Sequence, residues 1–247
     1  MTAPSPAARW AELAPGTVLL DGFHALKHAL RFGAEVPLAL ATDRPAALAL
    51  AARLAPDVVE PLAASLVEVG PETLRGLVGR PHPTGVAALA VRDNAWPAPA
   101  AEAREAPLVL LDQPRHLGNV GAVVRLVAGV GAAGVLTTGT VDPWHPTVLR
   151  ASAGLHFATR VGRAEPGELP AGPLLALDPD GDDLRGLRLP DNAVLAFGSE
   201  RAGLSPEVRA RADALVALPM RAGVSSYNLA TSVAMTLYHW QAGHGPC

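Results

Sequence analysis

The chain has 247 residues, 49% of them hydrophobic and 17% charged, a balance that excludes a disordered polypeptide and fits two globular domains, each able to bury a core. A formal charge of −3 excludes coating of nucleic acid through bulk electrostatics, so any such contact must be local. The one cysteine, Cys247, rules out an intrachain disulfide and leaves no cysteine-built metal site, and no metal is expected.

No apolar run reaches the roughly 18 residues that a membrane span needs, and Met1 to Arg9 lacks the apolar core and cleavage site of a secretory signal. A cytoplasmic location is expected. The cations are nearly all arginine, Lys27 being the one lysine, and arginine suits bidentate phosphate contacts.

Residues 20–91 predict a small α/β unit: a helix over Phe23 to Arg31, a strand over Pro37 to Thr42, a helix opened by Pro45, and a strand over Val86 to Val91. Residues 95–106, with Pro97 and Pro99 and no periodicity, read as a linker between domains 1–94 and 107–247.

Beyond it the expected order is a strand at 108–111, a helix from about Asn119 to Gly129, a strand at 135–138 and a helix near Pro146 to Ala153. Strands near 174–177 and 193–197 follow, then a helix at 206–212, a strand at 214–218 and a terminal helix from about Asn228. Such alternation predicts an α/β domain with a mainly parallel sheet.

Several familiar motifs do not fit. Gly129-Val130-Gly131-Ala132-Ala133-Gly134 has the letters of a dinucleotide fingerprint but closes a helix instead of opening one, so Gly131 reads as a helix terminator. His24 and His28 are four apart on a helix, yet Ala25 stands where a zinc protease carries glutamate. Neither a Walker phosphate loop nor a nucleophile elbow occurs.

Three polar, glycine-punctuated stretches, each after an apolar run, point to one composite site at a sheet edge. They are Asn119-Val120-Gly121-Ala122-Val123-Val124-Arg125, Gly198-Ser199-Glu200-Arg201-Ala202-Gly203-Leu204, and Leu218-Pro219-Met220 with Ser225-Ser226-Tyr227-Asn228. Taken singly, Asn119 fits a helix cap, Glu200 an ordinary loop carboxylate, and Ser225, Ser226 or Asn228 the cap of the last helix. Arg125 lies in an otherwise apolar stretch, where an unpaired charge is costly, and is expected to have a designated anion.

Together the three stretches, in this order, resemble the signature motifs of the SpoU, or TrmH-like, RNA 2′-O-ribose methyltransferases. The resemblance covers residues 107–242 and includes Arg150-Ala151-Ser152-Ala153-Gly154. Asp21-Gly22-Phe23-His24 and Thr84-Gly85-Val86-Ala87 more weakly resemble a small ribosomal-protein-like α/β domain that binds substrate RNA.

The resemblance implies a SPOUT-type catalytic domain with a trefoil knot, S-adenosylmethionine as cofactor, a ribosomal or transfer RNA substrate with ribosomal RNA favoured, and a homodimer through the catalytic domain. It implies cofactor contacts at Leu177, Gly198, Leu218, Met220 and Tyr227, and catalytic or RNA-facing roles at Asn119, Arg125, Glu200, Ser226 and Asn228. Tyr227 stands where the family usually carries leucine. Arg115, Arg125, Arg150, Arg160 and Arg201 are the expected RNA footprint.

A guanidinium keeps its proton at neutral pH, so Arg125 is expected to anchor phosphate and stabilise a developing alkoxide rather than act as a base. Two rivals stand beside this reading. One is a catalytically silent RNA-binding protein of the same fold, and the other a nicotinamide oxidoreductase resting on the glycine triplet.

Overall fold

The computed structural model describes residues 4–92 and 104–243. The chain divides into two compact units, Met1–Asp93 with Ser152–Ala158, and Asn94–Ala151 with Thr159–Cys247. Of the expected linker 95–106, all but the last three residues lie outside the described residues.

The first unit opens with α1 (Pro6–Leu13), capped by the Ser5 hydroxyl, which accepts the Ala8 N–H. Then come β1 (Thr17–Asp21), α2 (Phe23–Arg31), β2 (Leu38–Ala41), α3 (Arg44–Leu54), α4 (Val59–Ser65), β3 (Leu66–Glu68), α5 (Pro71–Val78) and β4 (Val86–Val91). The Asp43 carboxylate caps α3 by accepting the Ala46 N–H at 2.8 Å, and Pro45 in the first turn gives up a donor that would be unpaired there anyway.

The sheet order is β1-β4-β2-β3, with β2 and β3 parallel and the other pairs antiparallel. Trp10, Leu38, Leu40, Leu74, Ala87 and Leu89 form its core. Ser152–Ala158 joins this unit at α2. A Cβ on Gly154 (φ +73) would lie 2.7 Å from the Ala25 carbonyl oxygen, so only glycine allows that approach. The His28 Nδ1–H donates to the Ala153 carbonyl at 2.7 Å. Burial lowers the His28 pKa from its ordinary value, against the opposing pull of that bond.

The second unit runs through β5 (Leu108–Leu111), α6 (Leu117–Val130), β6 (Gly134–Thr137), α7 (Pro146–Ala151), β7 (Arg160–Arg163), β8 (Leu174–Asp183), β9 (Val194–Phe197), α8 (Pro206–Arg211), β10 (Ala214–Ala217) and α9 (Leu229–Ala242). Its sheet has the order β10-β8-β9-β5-β6-β7, every neighbouring pair parallel. Strands buried on both faces need unbroken apolar runs, and Leu108, Leu110, Leu136, Val194 and Ala196 supply them in the core.

The chain winds outward from β5 through β6 to β7, then crosses so that β9 lies between β5 and β8. Winding therefore reverses between β5 and β9, where an open α/β sheet leaves a crevice at its strands' carboxyl ends. Gly131 closes α6 in the left-handed region (φ 73), as expected of a helix terminator, and the stretch leads into β6. No helix among the described residues is long and apolar enough to cross a membrane.

Three expectations need correction, and one strand of this unit, β7, is not among those expected. The helix expected near Pro146 to Ala153 stops at Ala151, because Ala153 (φ 55) and Gly154 (φ 73) are left-handed. β7 carries a single fully buried residue, Val161, and so leaves no strand pattern. The strand expected at 174–177 continues to Asp183, with a register shift against β10 between Leu215 and Val216. The first helix of this unit begins at Leu117, two residues before Asn119.

Candidate active site

β5, β8, β9 and β10 end on one edge of the sheet, and the loops leaving them build the site. The loop after β9 is a tight turn: Ser199 and Gly203 exchange backbone hydrogen bonds of 2.9 and 3.1 Å, with Gly203 at φ +69. A Cβ on Gly198 would meet the Gly203 carbonyl carbon at 2.1 Å, so the turn closes only over a bare backbone. Glu200 sits at its tip.

Asp112, directly after β5, anchors that turn. Its buried carboxylate accepts the Thr138 hydroxyl at 2.7 Å and the Ser205 N–H at 2.6 Å, tying the start of the first loop to the end of the second. Sequence reading missed this residue, although a carboxylate immediately after a fully apolar strand is a usable signal.

Three of the expected catalytic residues form one polar chain. The Glu200 carboxylate accepts the Asn119 side-chain amide at 2.8 Å and the backbone N–H groups of Arg115 at 3.2 Å and His116 at 3.3 Å. The Asn119 carbonyl oxygen accepts the Asn228 side-chain amide at 3.2 Å. The Asn228 carbonyl oxygen caps α9, accepting the N–H groups of Ala230 and Thr231.

Desolvation alone would raise the Glu200 carboxyl pKa, but the hydrogen bonds from Asn119 and from backbone amides outweigh it and hold it below the ordinary 4.5. The carboxylate is thus fixed in its ionised, accepting form. Asn119 is not a helix cap: it lies inside the first turn of α6, and both ends of its amide are spent on the other two loops.

Beside this chain lies a cavity of about 400 Å³, within the range of roughly 300–1,000 Å³ typical of small-molecule and cofactor sites. Leu177, Gly198, Leu218, Met220 and Tyr227 all line it, as do Glu200 and Ser226. Sequence reading missed Asp178, Phe197, Leu229 and Ser232 in the same wall. Asp178 and Pro179 enter through the extension of β8, where Arg209 of α8 donates to the Asp178 carboxylate. The Ser226 hydroxyl has no partner among the described residues.

Arg125 departs from expectation. It is exposed on α6 beside half-buried Ala122 and Leu126, while Val123, Val124 and Val127 face the core. The apolar neighbours in sequence are thus on the opposite side of the helix, and no ion pair of Arg125 occurs among the described residues. It is also absent from the lining of its own chain's cavity. Arg115, Arg150, Arg160 and Arg201 are exposed as well, and Arg201 reaches the cavity.

The matching family model, the SpoU rRNA Methylase family, covers residues 106–238. An uncharacterised tRNA/rRNA methyltransferase of Synechocystis is 30% identical over 245 residues, spanning 90% of this chain and 83% of that protein. A 23S rRNA (uridine(2479)-2′-O)-methyltransferase of Streptomyces viridochromogenes is 33% identical over 144 residues, spanning 53% of this chain and 50% of its own length.

Among solved structures, a SpoU methyltransferase from Streptomyces viridochromogenes in complex with AdoMet superposes with a TM-score of 0.78 at 23% identity, each chain covered to 98%. An RNA 2′-O ribose methyltransferase superposes at 0.73 with 27% identity, covering 99% of this chain and 98% of that one. Fold and site together define a parallel-sheet α/β methyltransferase. The chain belongs to the SpoU rRNA Methylase family.

Proposed function

We propose that this protein transfers a methyl group from S-adenosylmethionine to a ribose 2′-hydroxyl of structured RNA in the cytoplasm, ribosomal RNA being favoured over transfer RNA. The observation that carries this reading is one cavity walled by the extension of β8 and by the loops after β9 and β10, with the Glu200–Asn119–Asn228 chain tying those two loops to the first turn of α6 after β5. The names of the relatives in Synechocystis and Streptomyces support it.

The residues present suit the cofactor. Leu177, Phe197, Leu218, Met220 and Leu229 offer apolar walls to an adenine ring, and Gly198 lies in the same wall. When bound, S-adenosylmethionine supplies the electrophilic methyl group. In this reading Leu177, Gly198, Leu218, Met220 and Tyr227 hold it, and the loops that hold it belong to a trefoil knot.

In-line transfer needs the hydroxyl oxygen placed and its proton accommodated. Glu200, Asn119 and Asn228 hold the loops in register as positioning residues. The unpartnered Ser226 hydroxyl faces the reacting centre. Arg125 anchors an RNA phosphate and stabilises negative charge on the attacking oxygen as that oxygen's proton passes to the phosphate or to water and the thioether product departs, and its exposure outside its own cavity supports a second copy completing the site. A homodimer through the catalytic domain follows, with unit one contributing RNA recognition.

The test measures cofactor binding by calorimetry and 2′-O-methylation of RNA for the full chain and Arg125→Ala. The variant is expected to bind S-adenosylmethionine like the wild type while losing methyl transfer. Wild-type turnover in the variant removes Arg125 from the chemistry, and a wild type that binds no S-adenosylmethionine overturns the whole assignment.

A further inference from the structure

The loop from β10 to α9, residues 218–228, is exposed along most of its length, yet it supplies Leu218, Met220, Ser225, Ser226 and Tyr227 to the cavity wall. Its carboxyl end is fixed twice, because Asn228 both caps α9 and donates to Asn119. Inside the loop, a turn at Gly223 brings the Val224 N–H to the Arg221 carbonyl at 3.0 Å. One side-chain bond spans the opening: the Tyr227 hydroxyl donates to the Pro219 carbonyl at 3.0 Å, across eight residues.

A leucine at this position would have no hydroxyl with which to make that bond. We infer that Tyr227 is a positioning residue whose phenol hydroxyl clasps the 219–227 loop shut against the cavity and sets how long the cofactor and its demethylated product reside there. The inference rests on reading the cavity as the S-adenosylmethionine site. Without the bond, the strand at one end, Asn228 at the other and the local Arg221–Val224 turn are left, among the described hydrogen bonds, to oppose the entropy of an open loop. Met220, Ser225 and Ser226 then no longer hold a fixed wall.

The test compares full-length wild type, Tyr227→Phe and Tyr227→Leu by stopped-flow binding of S-adenosylmethionine and release of S-adenosylhomocysteine, and by trypsin cleavage after Arg221 without ligand. Removing the hydroxyl alone is expected to weaken binding and speed both release and cleavage by about fivefold, the usual effect of one lost hydrogen bond. KM for the cofactor rises by a similar factor while kcat for transfer does not fall in proportion.

If Tyr227→Phe behaves as wild type in binding and cleavage while Tyr227→Leu is impaired, ring packing and not the hydroxyl holds the loop, and the clasp is overturned. A wild type that binds no S-adenosylmethionine overturns the cofactor assignment along with residence control. The trypsin comparison reads the clasp itself, independently of any ligand.

Discussion

At Glu200 one carboxylate serves a side-chain amide and two backbone amides. A glutamine there keeps the shape but turns an NH₂ toward N–H donors, leaving at least one of them unpaired. Glu200→Gln is expected to lower turnover about ten- to hundredfold through misplacement of the α6 entry, while cofactor affinity changes far less. Steady-state kinetics and calorimetry read both. The carboxyl is depressed in the folded protein, so its stabilising contribution is present above the ordinary 4.5 and is lost as pH falls through the depressed value. The melting-temperature gap between wild type and variant should therefore close on acidification through that window. That Asn119, Glu200 and Asn228 belong together was legible from their motifs. The burial argument for Arg125 misled, because linear neighbours such as Val124 lie on the other face of the helix.

On the scale of elements, the turn after β9 depends on the approach of two backbones. Gly198→Ala would put a methyl group 2.1 Å from the Gly203 carbonyl carbon, and backbone cannot yield as a flexible side chain does. A loss on the order of 1–3 kcal/mol is expected from such overpacking. Denaturant melts should show it, together with weakened S-adenosylmethionine binding, and a variant with unchanged stability and affinity would mean the turn opens without cost. The apolar strands β5 and β9 announced themselves in sequence because both faces are covered. The extension of β8 did not: Asp178-Pro179-Asp180-Gly181 has the composition of a polar turn, and it is long-range pairing of Asp182 and Asp183 with Val216 and Ala217, beside the bare Gly181 backbone packed against Leu215 and Val216, that makes it strand. β3, of three residues, is too short for any alternation to show.

Taken as a whole, the molecule shows its parallel order in sequence through the regular alternation of strand and helix, whereas the reversal of winding between β5 and β9 depends on long-range pairing that no local pattern records. The packed pair α6 and α9 leaves Ala122, Arg125, Leu126 and Tyr238 at least partly exposed, Tyr238 at 71%, which suits a self-complementary two-fold contact. Light scattering should give twice the 25.4 kDa of one chain, and an active species of single-chain mass would exclude a shared site.

The division of the polypeptide carries a practical consequence. The amino-terminal unit borrows seven residues, Ser152–Ala158, from the middle of the sequence, so the backbone passes between the two bodies more than once. A fragment ending at Asp93 would forfeit the segment against which Ala25 and His28 rest. The amino-terminal unit is not detachable by a single cut: each half of this protein is completed only by a stretch encoded within, or beyond, the other.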